Sequence, residues 1–390
     1  MPEAVIVSTA RTPIGRAQKG SLRDNRIDDL GGFIVKTLLE KVPAVEPASV
    51  DDVIIGAANH SGEQGMNAAR NIGLLAGLPD TVPGTTVNRF CASSLQSIRM
   101  AFHAIKAGEG DTYVAGGVES LSRTGGRGMN RDDLNPRFMD ASRPDFINQV
   151  YIPMGLTAEN VAEKFGVSRE RMDELALISQ NRAVAAQENG FFEREITPVT
   201  TPDGTVVAKD DGPRPGTTLE QLAQLQPAFK RDGTVTAGNS CPLNDGAAAV
   251  LVMSADRAAD LGLRPLARVV ASAVSGLAPE IMGVGPIEAV TRVLRQAGMT
   301  IKDIDVVELN EAFAAQVLPV CDELGISIED QLNPHGGAIA LGHPFGMTGA
   351  RIMTTLINDL QTLDKTYGVE TMCIGGGQGL AAVFESAGSR

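Results

Sequence analysis

Short apolar runs alternate with longer stretches in which apolar residues recur every three or four positions, and the alternation occurs twice along the chain. Ala4–Ser8 and Val53–Ile55 read as buried strands. Between them Leu30, Phe33, Ile34 and Leu38 mark one face of a helix from about Asp28 to Glu40. Asn67–Ala76 reads as a second helix and Pro79–Pro83 as a turn. The β-branched run Thr85–Val87 leads into a helix in which Leu95, Ile98, Phe102 and Ile105 keep helical spacing, and the strand Tyr113–Ala115 ends in Gly116-Gly117. The order returns downstream: strand Ala267–Val274, helix Gly285–Gln296, strand Asp305–Glu308 and helix Ala312–Leu324. An apolar run at Gly337–Leu341, a helix at about Gly349–Leu360 and the strand Glu370–Ile374 complete it. Asp52-Val53-Ile54-Ile55 echoes Asp305-Val306-Val307-Glu308, and Val114-Ala115-Gly116-Gly117 echoes Cys373-Ile374-Gly375-Gly376. A duplicated α/β unit is predicted.

The sequence between the two copies is of another kind. Leu121–Asn148 is rich in Gly, Arg, Asp and Pro and has no hydrophobic period. Thr157–Phe165 and Arg169–Glu188 read as helices, with Thr157-Ala158-Glu159 as a helix start, and Thr200–Pro215 is polar and turn-rich. The expected organisation is a first half of residues 1–120 plus 244–263, an insertion of residues 121–243, and a second half of residues 264–390. Ala247–Met253 then supplies the last strand of the first half.

Composition narrows the class. A chain of 390 residues is too long for one ordinary core. Aromatic residues make up 4% and Trp is absent, so the interior must be built mostly from Ala, Val, Leu and Ile. A net charge of −13 with no Lys/Arg-rich run argues against nucleic acid as a partner. No basic segment leads into an apolar one at the start, and no apolar run is long enough to span a bilayer, so the expected location is cytoplasmic. The four cysteines, Cys91, Cys241, Cys321 and Cys373, are expected as thiols. No Cys-x-x-Cys pair or His-rich tract suggests a metal, and none is expected.

Cys91 falls where a strand turns into a helix, followed by the small residues Ala92, Ser93 and Ser94. Unpaired N–H groups and the positive end of the helix dipole favour a thiolate at such a place. A lone cysteine is more often a buried structural residue, so the assignment needs partners. His343, fixed between Gly342 and Pro344, is one candidate. Of the other histidines, His103 reads as a surface residue beside Arg99 and Lys106, whereas His60 and His335 stand near glycine-rich turns that could line a cleft.

Four pieces in order carry a resemblance: V-N-R-F-C-A-S-S-L at Val87–Leu95, Asn310-Glu311-Ala312-Phe313, G-G-A-I-A-L-G-H-P-F-G-M-T-G at Gly336–Gly349, and M-C-I-G-G-G-Q-G at Met372–Gly379. Together they resemble the thiolase family, and the likeness runs from A-R-T-P-I-G at Ala10–Gly15 to the final strand. The resemblance implies an α/β fold of duplicated halves in five α-β-α-β-α layers, with an inserted loop domain covering coenzyme A. It implies Cys91 as the nucleophile taking the acyl group, and His343 as its base and later a donor to the thioester oxygen. Asn310 would hold a water at that oxyanion. Cys373 would protonate the leaving carbanion and then deprotonate coenzyme A. The N–H groups of Cys91 and Gly375 would hold the oxyanion formed at the keto carbon. Arg214 matches a position near the adenine-ribose end of coenzyme A, Ser275 one that meets the pantetheine, and Met154 with Gly155–Asn160 the loop lining the pantetheine tunnel.

Departures from the family pattern bear on substrate. Cys241 stands in G-N-S-C-P where the family usually has Ser, also at the pantetheine. Ser94 replaces a usual Gly, Gln378 a usual Met and Phe345 a small aliphatic. Ile152-Pro153-Met154 lacks the His-Met pair common in biosynthetic acetoacetyl-CoA enzymes; this and N-P-H-G-G resemble the degradative 3-ketoacyl-CoA thiolases of fatty-acid β-oxidation. The biosynthetic condensing enzyme is the alternative. A decarboxylating or condensing ketoacyl synthase would lack Cys373, a non-catalytic acyl-CoA- or lipid-binding relative would have lost a reactive group, and a cysteine hydrolase has no need of a second thiol. Coenzyme A is then a co-substrate, with no permanently bound cofactor. The expected partners are acyl-CoA, further copies of the chain in a homodimer or homotetramer, and a hydratase–dehydrogenase subunit.

Overall fold

The computed structural model describes residues 2–124 and 131–388; residues 125–130 of the glycine-rich stretch lie outside the described residues. Nine strands form the frame: β1 (Ala4–Arg11), β2 (Asp52–Gly56), β3 (Gly84–Val87), β4 (Thr112–Ser120), β5 (Asn244–Ser254), β6 (Ala267–Gly276), β7 (Val306–Leu309), β8 (Tyr367–Ile374) and β9 (Gln378–Ser386). Their order is β7-β8-β9-β6-β1-β5-β4-β2-β3, with the short strand Gly15–Arg16 paired beside β5. In the first half β2 runs parallel to β4, β4 antiparallel to β5, and β5 antiparallel to β1. In the second, β7 runs parallel to β8, β8 antiparallel to β9, and β9 antiparallel to β6. The two halves therefore share one strand plan. Their sheets meet through two ladder pairs, Val5–Arg268 and Ile6–Ala267.

Among the described residues eight helices of eight residues or more cover the frame: α1 (Ile27–Glu40), α2 (Ala68–Leu75), α3 (Ser93–Ala107), α4 (Met154–Phe165), α5 (Arg169–Glu188), α6 (Gly285–Ala297), α7 (Ala314–Leu324) and α8 (Thr348–Thr362). Helices α1 and α2 pack outside the first half, and α6, with α7 against it, outside the second. Between the halves α3 and α8 pack on each other. Helix α3 rests on β2 and β4, while α8 touches β4 and β5 of one half and β7 and β8 of the other. This gives five layers, with α3 and α8 as the middle one.

Burial on both faces explains the unbroken apolar strands. Along β5, Ala248, Val250 and Val252 point into the middle layer, and Ala247, Ala249, Leu251 and Met253 toward the outer helices. Small side chains on these strands let the helices approach. Phe33 departs from the sequence reading: it is 37% exposed and lies off the buried face of α1.

The chain leaves the first half after β4 and re-enters at β5, where Ser120 and Asp245 are ladder partners. The insertion is tied down by buried Arg11 at the end of β1, which donates to Glu195 at 2.7 Å and Asp210 at 2.9 Å. Burial alone would depress this guanidinium's pKa, but the two carboxylates outweigh it and keep the charge. Within the insertion α4 begins at Met154, three residues ahead of the predicted start, so Met154 and Gly155–Asn160 are helix and not loop. The Thr157 hydroxyl bonds back to Met154 O at 2.6 Å and caps nothing. No helix among the described residues is long and apolar enough to cross a membrane.

Candidate active site

Cys91 sits in a single 3₁₀ turn, Phe90–Ala92, between β3 and α3. The turn is strained: Phe90 has φ of 45°, a left-handed value that a bulky residue seldom takes. Hydrogen bonds from both sides hold it. Phe90 N–H donates to Asn88 Oδ1 at 2.7 Å, Ser93 Oγ donates to Phe90 O at 2.7 Å, and Arg89 N–H donates to Ser93 Oγ at 3.0 Å. Cys91 rests as a thiol although its place at a helix start favours the thiolate. Burial pushes the Cys91 thiol up to about 11; the N–H groups of Gly375 and of Cys91 itself pull it back in part, and the Glu119 charge raises it further. Desolvation outweighs the helix dipole here.

His343 lies on the loop between a helical turn, Ala338–Leu341, and α8, and is 1% exposed. Thr348 fixes its tautomer. The Thr348 hydroxyl has one proton, which it gives to Pro344 O at 2.8 Å, so it must accept from His343 Nδ1–H at 2.6 Å. Nε2 is left as a free base and accepts from Asn310 Nδ2 at 3.3 Å. Burial, with Arg351 nearby, lowers the imidazole to about 3, so His343 is neutral at physiological pH. Asn244 Oδ1 accepts the His343 backbone N–H at 3.0 Å. The loop sits tightly on β4: a Cβ on Gly117 would overlap Gly346 O, and Gly346 N–H donates to Glu119 Oε2 at 2.9 Å. Ala350 N–H donates to Ser94 Oγ at 2.9 Å, which locks the start of α8 against the start of α3. Ser94, a departure noted in the sequence, is thus a strut between the two helices that carry the reacting groups.

Cys373 is next to last in β8, and its thiol donates to Gln316 Oε1 at 3.3 Å. Burial, and then the nearby Cys91 and Cys241 thiols, raise it well above the ordinary thiol range. Cys241 is raised by burial first and by Cys91 second. The three thiols therefore lie within electrostatic reach of one another, and none is in a disulfide.

Seven of the nine predicted site residues converge. Cys91, Cys373, Cys241 and the Gly375 amide form one group, and Asn310 pairs with His343. Met154 Sδ lies 3.6 Å from where a Gly375 Cβ would stand. Cys241 N–H donates to Ala312 O at 3.0 Å, joining the thiol group to the Asn310 loop. Ser275 stands in the ladder row of Cys373, two strands away through Gly379, and Arg214 lies further out. The Ser275 hydroxyl donates to Gly285 O at 2.8 Å and keeps its acceptor lone pairs, and Arg214 is on an exposed loop held by its backbone N–H to Gln180 Oε1 at 2.9 Å. His335 is structural and not a cleft residue: it bonds Asp359 at 2.5 Å and stacks on Phe191 with centroids 3.6 Å apart. His60 is occupied with Ala57 O, and His103 is on the surface as expected. Thr348, Gln316, Asn244 and Glu119 were missed. Each acts through a contact that no local spacing encodes, although Thr348 lies within the H-P-F-G-M-T run itself. Among the described residues no cluster of His, Cys, Asp or Glu could hold a metal ion.

Known proteins resemble this chain along its whole length. The N-terminal domain of thiolase matches residues 4–256 and its C-terminal domain residues 263–386. The 3-ketoacyl-CoA thiolase of Bacillus subtilis is 49% identical, over 99% of this chain and 100% of its own length. A β-ketoadipyl-CoA thiolase of Acinetobacter baylyi is 47% identical over the same shares. The crystal structure of human mitochondrial 3-ketoacyl-CoA thiolase superposes with a TM-score of 0.89 at 40% identity, covering 99% of each chain. With both domains matched in order and the four sequence pieces gathered around one centre, the chain belongs to the thiolase family.

Proposed function

We propose that the protein is a 3-ketoacyl-CoA thiolase of the degradative type, cleaving 3-ketoacyl-CoA with coenzyme A to acetyl-CoA and a shortened acyl-CoA. One observation carries the reading: two thiols from opposite halves, Cys91 and Cys373, lie within electrostatic reach beside the Gly375 amide. Hydrolysis needs one thiol; thiolysis needs a second that gives and takes a proton.

The steps follow from the resting protonation states. His343 Nε2 takes the Cys91 proton, and the thiolate attacks the keto carbon. The N–H groups of Cys91 and Gly375 hold the resulting oxyanion. Its collapse breaks the bond between the α-carbon and the keto carbon, leaving the acyl group as a thioester on Cys91. The departing carbanion takes the Cys373 proton and leaves as acetyl-CoA, its thioester oxygen held meanwhile by protonated His343 and a water on Asn310. Buried Asn310 Oδ1 has no protein partner among the described residues, which supports a water there. Coenzyme A then gives its thiol proton to Cys373 and attacks the acyl group, and Cys91 leaves with the proton that His343 returns. The Gln316 carbonyl keeps Cys373 in its thiol form until the carbanion forms.

Met154 and Cys241 are read as lining the pantetheine path, with Arg214 and Ser275 further along coenzyme A. The proposed units are residues 1–120 with 244–263, 121–243 and 264–390, supported by the strand plan. A homo-oligomer is supported by the edge position of β3 and by Met66, 95% exposed, with Leu74 and Leu75 also exposed nearby. The cytoplasm and a hydratase–dehydrogenase partner belong to the same reading. The test is mass spectrometry after incubation with 3-ketoacyl-CoA and no free coenzyme A. An acyl mass is expected on the Cys91 peptide and absent in Cys91→Ser, while Cys373→Ala blocks turnover but leaves Cys91 alkylatable. An adduct on Cys241 or Cys321 would overturn the assignment.

A further inference from the structure

Resting on the thiolysis reading, we propose that a cleft in the inserted segment binds the hydrocarbon tail of the acyl group, making straight-chain 3-ketoacyl thioesters the substrates in preference to those ending in a carboxylate. The cleft encloses about 440 Å³, within the range of roughly 300–1,000 Å³ usual for small-molecule sites. Leu134, Phe138, Met139, Tyr151 and Leu156 are among its lining residues; Gln149 brings an amide, and no charged side chain lines it among the described residues.

One turn links this cleft to the reacting centre. Ile152 N–H donates to Gln149 O at 2.9 Å, which puts Val150 and Tyr151 at the turn's two central positions. Val150 reaches the oxyanion loop: its Cγ2 is 3.5 Å from where a Gly376 Cβ would stand. Tyr151 packs edge-on against Phe138, ring centroids 5.8 Å apart, on the cleft side. Met154 closes the same stretch against Gly375, and Phe90, 48% exposed, lies 3.7 Å from that glycine's Cβ direction. An acyl chain extending from the Cys91 thioester past Gly375 and Gly376 therefore meets the Val150–Met154 stretch, with the cleft beyond it.

The lining then selects. Each methylene buried there strengthens binding about fourfold. A terminal carboxylate would lose its hydration with no cation among the described lining residues to replace it. This is the point on which the relatives' names divide, 3-ketoacyl against β-ketoadipyl.

The test measures kcat/KM for thiolysis of acetoacetyl-CoA, 3-ketodecanoyl-CoA and 3-ketoadipyl-CoA by the full chain and by Leu134→Trp, Met139→Trp and Leu134→Arg. The wild type should prefer 3-ketodecanoyl- over 3-ketoadipyl-CoA by about tenfold or more. Either tryptophan, filling the cleft, should lower the decanoyl-to-acetoacetyl ratio by about tenfold, and Leu134→Arg should raise the adipyl-to-decanoyl ratio by a similar factor. Two positions are filled so that misfolding of one variant leaves the other to decide. An unchanged decanoyl-to-acetoacetyl ratio in the folded tryptophan variants, or a wild type preferring the carboxylate, would overturn the tail site. Failure of the wild type to cleave acetoacetyl-CoA would overturn the thiolysis reading beneath it.

Discussion

At rest Cys91 is a thiol and His343 a neutral imidazole, and this pairing has a measurable signature. With Cys91 pushed up to about 11, its thiolate fraction rises about tenfold per pH unit below that point. Iodoacetamide should therefore inactivate the enzyme ever faster from pH 7 to 9 with no plateau; a plateau below pH 8 would mean a resting thiolate–imidazolium pair. Thr348 allows a second prediction. Thr348→Val leaves His343 Nδ1–H without its acceptor, a loss of about 1–3 kcal/mol, or roughly 5- to 150-fold in turnover. Thr348→Ser should restore the rate, and equal loss in both variants would point to packing in place of tautomer control. Asn310→Ala removes the anchor of the water at the thioester oxyanion and should cost about 10²–10³ in turnover while alkylation of Cys91 stays fast. Combined with His343→Asn it should do far less damage than the two effects multiplied. Cys91, Asn310, His343, Cys373 and Gly375 were legible because each sits in a short run of distinctive residues. Gln316 was not, since it meets Cys373 from α7 on another element. The pull of the helix start on Cys91 can be seen in a sequence, but the burial that outweighs it cannot.

The elements matter as positioning devices. The His343 loop crosses β4 where Gly117 and Gly346 touch, and Gly117→Ala forces the loop away. A displacement of about 1 Å at such a site costs roughly 10²-fold in rate, and overpacking about 1–3 kcal/mol in stability. Turnover should fall about a hundredfold in a variant that still unfolds cooperatively in urea; near-normal turnover would show that the loop adapts. Most strands and helices could be read because their apolar runs are buried on both faces or keep helical period. The start of α4 was misplaced because Thr157 looks like a cap but bonds backward inside a helix. Leu121–Asn148 gave no element because it has no apolar period, and so the cleft that Leu134, Phe138 and Met139 help to line was invisible.

Across the whole molecule, the middle layer carries an unusual load of charge. Glu308, Asp359 and Glu370 are all buried around Arg351, with Glu308 4.0 Å from its guanidinium, and burial foremost holds all three carboxyls above their ordinary range. Glu195, Asp210, Arg11 and His335 complete the set. A raised carboxyl keeps its proton longer in the folded chain than in the unfolded one. Stability is therefore fullest below the unfolded value near pH 4.5 and declines as pH climbs toward the folded value. Each unit of elevation costs about 1.4 kcal/mol once the group ionises. Glu370→Gln should raise Tm at pH 8 and flatten its fall between pH 5 and 8; a steeper fall would mean that Arg351 pays back the ionised form. The same layer sets how the family can exchange parts. Residues 255–266 link the last strand of the first half to the first of the second, beside the two pairs at which the sheet halves meet, and are the natural crossover for recombining two relatives. A chimaera joined there nevertheless takes α3 from one parent and α8 from the other, with Cys91 on one side and His343 on the other. Inheritance of function should follow the match between those two helices and not the continuity of the sheet.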